Sequence, residues 1–145
     1  MPRLLTLAAL LLALCGCTGP VRSYGVYQSK AGRTAQTAAS ALQTAGLAVQ
    51  AASQRKAFGR YVTQVLAEAE EDATAAQGTF DGIQPPDHRA DQLRGQLDGM
   101  LQQAVSTLQQ LRIAARRGDT QALLRAAVPL TSLARRLGDF AEAHT

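Results

Sequence analysis

Beyond residue 28, apolar residues recur along the chain at spacings of three and four, which is the period of an amphipathic helix. No stretch shows the sustained two-residue alternation of a half-buried strand. Aromatic residues make up only 4% of the chain, whereas Ala, Leu, Gln, Arg and Glu, which favour helices, are abundant. The pattern therefore predicts an all-α domain over residues 29–145.

The first two predicted helices run from about Ser29 to Ala52 and from about Ala57 to Phe80. The polar segment 53–56 is the expected break between them, and one long helix through it, which would give a three-helix arrangement, is the alternative. Pro85-Pro86 cannot continue the second helix, because proline lacks the amide hydrogen and restricts the residue before it. The predicted buried positions are Ala35, Ala38, Leu42, Ala45, Val49 and Ala52 in the first helix, and Phe58, Val62, Val65, Ala69, Ala73, Ala76 and Phe80 in the second.

The last two predicted helices have clear start and stop signals. Asp87 is placed to cap the third helix, which Gly118 ends, and Asp119 is placed to cap the fourth. Pro129 removes the hydrogen bond to the carbonyl of Arg125, so we expect a kink in the fourth helix between these two residues. The predicted buried positions are Leu93, Leu97, Met100, Leu101, Ala104, Leu108, Leu111 and Ala115 in the third helix, and Leu123, Ala126, Ala127, Leu130, Leu133, Leu137 and Phe140 in the fourth.

Four helices of comparable length with short connections predict an up-down-up-down four-helix bundle. The breaks near residues 53–56 and near Gly118 then lie at one end, and the N-terminal segment, the Pro85-Pro86 turn and the C-terminus lie at the other. The formal net charge of +4 is too small to indicate a partner, but this topology would separate the charges. The first end would carry a candidate docking surface of Arg55, Lys56, Arg60, Arg112, Arg116 and Arg117, and the second end would carry Asp81, Asp87, Asp91, Asp139 and Glu142.

The N-terminal residues have the pattern of an export signal. Arg3 precedes an apolar run from Leu4 to Leu14, which is too short to be a transmembrane helix of about 20 apolar residues. The run ends in Leu14-Cys15-Gly16-Cys17, which resembles the lipobox of bacterial lipoproteins. This resemblance implies that residues 1–16 are a lipoprotein signal peptide and that Cys17 becomes the lipidated first residue of the mature chain.

Residues 17–28 are predicted to form a lipidated tether, because Gly19, Pro20 and Gly25 disfavour regular structure there. Several acyl chains hold a protein firmly on a membrane. Lipidation at Cys17 would therefore anchor the protein to the bacterial cell membrane, with the helical domain outside the cytoplasm. An ordinary secretory signal that leaves a soluble protein, or an uncleaved hydrophobic anchor, is the alternative.

The chain after residue 16 resembles the helical domain of small uncharacterised lipoproteins and secreted proteins of high-GC Gram-positive bacteria, above all in the segments FDGIQPPDHRADQLRGQLDGML and LRIAARRGD. The similarity covers nearly all of the mature chain, but these segments hold helix boundaries and packing positions. The resemblance therefore implies a fold and an extracytoplasmic location, and it implies no activity.

The sequence predicts a non-enzymatic protein without a cofactor. Cys15 would leave with the signal peptide and Cys17 would carry lipid, so no thiol would remain for a disulfide, a metal site or a nucleophile. No glycine-rich phosphate loop follows a predicted strand, and no G-x-S-x-G element is present. The acidic run at residues 68–72 spreads around a helix, which predicts a solvated face and not a paired acid and base.

The two histidines are a further candidate site. Antiparallel packing could bring His88 and His144 together beside Asp87, Asp91 and Glu142, and such side chains bind zinc or copper. However, the chain has no pair of histidines one helical turn apart, and His144 is the penultimate residue, where chains fray. We therefore expect solvent-exposed histidines and no metal site.

These observations favour a membrane-anchored, non-enzymatic interaction or structural module of the cell envelope. The expected partners are the membrane, through lipidated Cys17, and an anionic envelope component that binds the six basic residues. Nucleic acid is not expected, because no aromatic residues are interleaved with the arginines to stack on bases. Two alternatives stay open: a carrier that holds a small ligand in an apolar cavity, and an envelope metal-binding or stress protein.

Overall fold

The computed structural model describes residues 23–57 and 59–145. The predicted signal peptide at residues 1–16, Cys17, the tether up to residue 22, and Phe58 lie outside the described residues. The described part of the chain contains no strand and forms four helices, of which the fourth is interrupted, so the predicted all-α four-helix bundle is confirmed. The helical segments are α1 Tyr24–Ser53, α2 Gly59–Asp81, α3 His88–Arg117, α4 Thr120–Ala127 and α5 Leu130–His144.

The helices run alternately up and down, so the connections lie at two opposite ends. Ser23, the connection 82–87 and Thr145 lie at one end, which we call the terminal end. Residues 54–57, which follow α1, and the turn at Gly118 lie at the other end, which we call the distal end. Residues flanking both of these connections line one small cavity, which shows that the two connections are neighbours.

The helix α1 begins earlier than the sequence predicts. Ser23 caps it, since its hydroxyl oxygen accepts a hydrogen bond from the amide of Val26 at 3.4 Å. Tyr27 is completely buried, and its ring centroid lies 5.4 Å from that of Phe80. Burying an aromatic side chain stabilises by about 2 kcal/mol, which exceeds the roughly 1 kcal/mol that Gly25 costs in a helix. The prediction of an irregular tether is therefore wrong from Tyr24 onward.

The break between the first two helices is real. The helix α1 ends at Ser53, and α2 starts at Gly59, so the predicted break is confirmed and the three-helix alternative is wrong. The amides of Arg55 and Lys56 donate hydrogen bonds back into the last turn of α1, which closes that helix firmly.

The core forms around α1, which contacts every other helical segment. Its buried face is made mostly of alanine, so the predicted stripe of small residues packs within the chain. Small side chains at a helix contact allow the two helix axes to approach closely. The neighbouring helices contribute larger apolar side chains, including Leu66, which the predicted stripe of the second helix omitted. The fully buried large side chains are Tyr27, Leu42, Leu66, Phe80, Leu97, Leu101, Leu108, Leu111, Leu133 and Leu137.

The predicted kink in the fourth helix is confirmed as an interruption at Val128 and Pro129. Because proline has no amide hydrogen, the carbonyl of Arg125 instead accepts a hydrogen bond from Val128, at 3.3 Å. The helix resumes when the carbonyl of Pro129 accepts from the amide of Leu133 at 3.0 Å. The interruption divides the packing, because α4 lies mainly against α3 whereas α5 lies mainly against α1.

A polar cluster lies beneath the terminal end of the bundle. The guanidinium of Arg94 donates to the carbonyl of Asp81 at 3.0 Å and lies 3.6 Å from the carboxylate of Asp98. The hydroxyl of Tyr27 and Oδ1 of Asp98 are buried and have no hydrogen-bond partner among the described residues. Burial raises the pKa of both groups, and the nearby charge of Arg94 opposes the rise. Through the hydrogen bond to Asp81, Arg94 therefore links α3 to the last residue of α2.

We expect Gly32→Ala to destabilise the protein by on the order of 1 kcal/mol, even though alanine is the better helix former. A Cβ atom at Gly32 would lie 2.8 Å from the carbonyl oxygen of His144 and 2.9 Å from its carbonyl carbon, so the C-terminal backbone would have to move. The free energy of unfolding, obtained from urea denaturation followed by circular dichroism, measures the effect.

Gly46→Ala in the same helix is the matched control. Apart from the adjacent residues and the neighbouring backbone of the same helix, no atom lies within 4 Å of the position that its Cβ would occupy. We expect this variant to stabilise the protein by about 0.5–1 kcal/mol. Equal stabilisation by both substitutions would show that the C-terminal turn does not pack on α1 in solution.

Candidate functional site

Five of the six basic residues predicted to form a docking surface lie at the distal end. Arg55 and Lys56 belong to the connection between α1 and α2, Arg60 to the first turn of α2, and Arg116 and Arg117 to the last turn of α3. All five side chains are exposed, and none forms an ion pair with another described residue. We call these five residues the basic tip.

Arg112 is different, because its charge is already matched within the protein. Its guanidinium donates through Nε to Oε2 of Glu70 on α2, and through Nη2 to Oε1 of the same carboxylate at 3.2 Å. The two side chains are only 24% and 19% exposed. The hydrogen bond and the charge of Glu70 raise the pKa of Arg112 above its ordinary value. Arg112 is therefore paired within the protein and is not counted in the basic tip, and Glu70 does not belong to a solvated acidic face.

Gly118 ends α3 in a way that leaves the two arginines of the last turn exposed. It adopts a left-handed φ of 66°, and the amides of Gly118 and Asp119 donate to the carbonyls of Ala115 and Ala114 at 3.0 and 3.1 Å. These two hydrogen bonds form a Schellman motif. Asp119, the acidic residue beside the basic tip, caps the next helix, because its Oδ1 accepts a hydrogen bond from the amide of Ala122 at 2.8 Å.

The helix α1 ends with the same motif, but here an arginine occupies the position that glycine prefers. The amides of Arg55 and Lys56 donate to the carbonyls of Ala52 and Ala51 at 3.0 and 2.9 Å, and Arg55 has a left-handed φ of 56°. This backbone conformation costs roughly 1–2 kcal/mol in a residue that has a Cβ atom. The distal end therefore holds a charged side chain where glycine would be more stable, a feature typical of functional positions.

The terminal end is mixed in charge. The acidic residues lie there as expected, but several are engaged: Asp87 caps α3 by accepting from the amide of Ala90 at 2.9 Å, and Asp81 lies 3.9 Å from Arg94. Basic side chains lie in the same half of the bundle and offset these acidic residues. The excess of positive charge is therefore confined to the distal end. The acidic residues of this half are Glu71, Asp72, Asp81, Asp87, Asp91, Asp98, Asp139 and Glu142, and the basic ones are Lys30, Arg33, Arg89, Arg94, Arg135 and Arg136.

A shallow groove of about 380 Å³ runs beside the basic tip, between α3 and α4. Its lining includes Arg125 on the α4 side and, on the α3 side, Arg117 and Ile113, which precedes Arg117 by one helical turn and is 37% exposed. Neither Arg125 nor Ile113 is among the docking residues predicted from the sequence. The turn at Gly118 could have indicated that Arg125 lies near the basic tip. The helix that follows this turn starts at the distal end, so its first residues lie there too.

The described residues also contain a cavity of about 170 Å³ at the distal end, lined by residues that include Ala57, Val62 and Leu123. Pockets that enclose a small ligand have volumes of about 300–1,000 Å³. The lining residues adjoin residue 58, which lies outside the described part of the chain. This cavity therefore gives no support to the carrier hypothesis.

The histidines are held in separate local contacts. Nδ1 of His144 donates to the carbonyl of Phe140 at 2.7 Å, and the His144 ring stacks on that of Phe140 with a centroid distance of 4.2 Å. Nε2 of His88 lies 3.3 Å from the side-chain amide of Gln92. In the described residues, no group of three or more His, Cys, Asp or Glu side chains is arranged to hold a metal ion.

Comparison of the chain with protein-family models, with curated protein sequences and with solved structures finds no significant match. Within residues 23–57 and 59–145, no helix combines the length and the apolar character needed to cross a membrane. The functional interpretation therefore depends on the sequence motifs and on the geometry of the distal end.

We expect Arg55→Gly to stabilise the protein by about 1 kcal/mol, because glycine adopts the left-handed conformation without the steric cost of a Cβ atom. Gly118→Arg is the reciprocal variant in the same motif, and we expect it to destabilise by a similar amount. Thermal and urea unfolding measure both effects. A loss of stability in Arg55→Gly would show that the side chain of Arg55 contributes contacts that outweigh its backbone strain.

Proposed function

We propose that this protein is a membrane-anchored lipoprotein of the bacterial cell envelope, lipidated at Cys17, that acts without catalysis by binding an anionic envelope partner through its basic tip. The observation that carries the proposal is the one-sided distribution of charge. Five exposed basic residues without ion-pair partners among the described residues occupy the end of the bundle opposite to the start of α1.

The lipobox at Leu14-Cys15-Gly16-Cys17 supports the anchor. Six residues separate Cys17 from Tyr24, the first residue of α1, and such a segment can extend over at most about 20 Å. The 30 residues of α1 span about 45 Å. An upright bundle would thus present its terminal end to the membrane and hold the basic tip well outside the lipid headgroups.

The strained backbone at Arg55 supports a binding role for the basic tip. A loop that only had to end a helix would be more stable with glycine at this position, as α3 shows at Gly118. Exposed arginine and lysine side chains that lack an internal partner attract anionic groups over several ångströms and steer their approach. An anionic polymer or an acidic protein of the envelope would provide the complementary charge.

The anchor is tested by the intact mass of the protein extracted from membranes with detergent. We expect the wild-type chain to begin at Cys17 and to carry added acyl mass, because several acyl chains are needed for stable anchoring. Cys17→Ala is the control and should lack that mass. An unacylated, soluble wild-type protein would contradict the proposal and favour a diffusible carrier.

Docking is tested by co-sedimentation of the full chain, embedded in phosphatidylcholine nanodiscs, with isolated cell envelopes at about 0.15 M salt. Replacing four residues of the basic tip by glutamine should weaken binding at least about tenfold, because these charges supply the attraction. Arg112 is left unchanged, since its loss would leave Glu70 without its partner. The substitutions are Arg55→Gln, Lys56→Gln, Arg116→Gln and Arg117→Gln.

The matched control removes four exposed basic residues from the other parts of the bundle, and unfolding temperatures verify that both variants fold. We expect the control to bind like the wild type at about 0.15 M salt, where the Debye length is about 8 Å. Equal weakening in both variants would show that net charge alone drives the binding and would contradict a docking role for the basic tip. The control substitutions are Lys30→Gln, Arg33→Gln, Arg135→Gln and Arg136→Gln.

A further inference from the structure

The groove between α3 and α4 lies beside the turn at Gly118. The segment α4 has only eight residues and lies against α3, whereas the chain after Pro129 turns to α1. The facing sides of α3 and α4 therefore bound an open trough at the distal end. Its lining includes Ile113, Ala114, Arg117, Ala122, Arg125 and Ala126.

The walls of this groove are basic. Arg117 stands on the α3 side and Arg125 on the α4 side, and Arg116 lines an adjoining depression together with Ile113. All three arginines are exposed, and none pairs with a carboxylate in the described part of the chain. The acidic residue in the lining, Asp119, is occupied as the cap of α4. Guanidinium groups bind carboxylates through two parallel hydrogen bonds, which fixes the orientation of the partner group.

Both helices also contribute apolar residues to the lining of the groove, and we call this apolar part its floor. The side chain of Ile113 is 37% exposed, and Ala122 and Ala126 are only partly buried. Because alanine side chains are short, they leave room for another helix to approach α4. A wholly polar polymer would bind the arginines but would leave this floor in contact with water.

We propose that the groove binds an amphipathic helix of a partner protein, which places apolar side chains over Ile113 and carboxylates against Arg117 and Arg125. This inference deepens the proposed function, on which it rests, by assigning the anionic partner to one chemical class. Helix-in-groove recognition uses apolar anchors along one face of the bound helix, and charges at the rim set its register. Lipid of the anchoring membrane fits less well, because the length of α1 separates the groove from the terminal end by about 45 Å.

The test uses the full chain in phosphatidylcholine nanodiscs, with empty nanodiscs as the blank, and fluorescence anisotropy of a labelled peptide. The probe is a synthetic helix of about 15 residues that carries leucine on one face and glutamate on both flanks. A peptide of the same composition in scrambled order has the same charge but no apolar face. Salt is kept at about 0.15 M so that long-range attraction is screened.

We expect the amphipathic peptide to bind and the scrambled peptide to bind at least about tenfold more weakly, because only the first can cover the floor of the groove. Arg117→Gln combined with Arg125→Gln should weaken binding at least about tenfold, since both walls lose their charge. Ile113→Gln should weaken it about threefold or more with the arginines intact. Arg33→Gln combined with Arg136→Gln is the matched control and should change the affinity by less than about twofold.

Several results would overturn the proposal. These are no binding of the amphipathic peptide above the blank, equal binding of the scrambled peptide, and equal weakening by the two double variants. Binding of phosphatidylglycerol vesicles that depends on Arg117 and Arg125 and that the peptide does not displace would assign the groove to lipid instead. Acylation of Cys17 and envelope binding are measured without the peptide, so failure here is distinguishable from failure of the proposed function.

Discussion

The structure depends on how closely the other helices approach α1. The buried face of α1 consists mostly of alanine, with Tyr27 and Leu42 as its large side chains, and all other helical segments contact it. The separation between packed helices depends on the side chains at their contact. At Gly32 there is no room even for a methyl group, because the backbone of His144 lies against it. This close packing aligns the helix ends and so gathers the residues of the basic tip.

The distal end shows how a helix terminus and a charged surface compete for the same residues. Both α1 and α3 end in a Schellman motif, and in α3 glycine occupies the left-handed position, as the backbone prefers. In α1 that position is Arg55, so the connection keeps a positive charge at the cost of local stability. Arg112 has the opposite role, since its charge is matched by Glu70 and stabilises the contact between α2 and α3.

The interruption at Pro129 links backbone chemistry to the shape of the surface. The segment before the interruption packs mainly on α3, and the segment after it packs mainly on α1. The missing amide of proline makes this change of direction possible, because the carbonyl of Arg125 accepts from Val128 instead. The groove that carries Arg125 and Ile113 lies between α3 and the segment that precedes this interruption.

The features that the sequence determined are those that depend on local chemistry. The apolar period predicted the helices, the residues 53–56 and 82–87 predicted the breaks, and Pro129 predicted the interruption, because each acts on neighbouring backbone. Five of the six candidate basic residues followed from the alternating topology alone. Only the tertiary structure decided that α1 starts at Tyr24, where burial against α2 outweighs a helix-breaking glycine, and that Arg112 pairs with a carboxylate on α2. Contacts between helices depend on the rotation of each helix about its axis, which packing of the whole core sets and a local pattern does not.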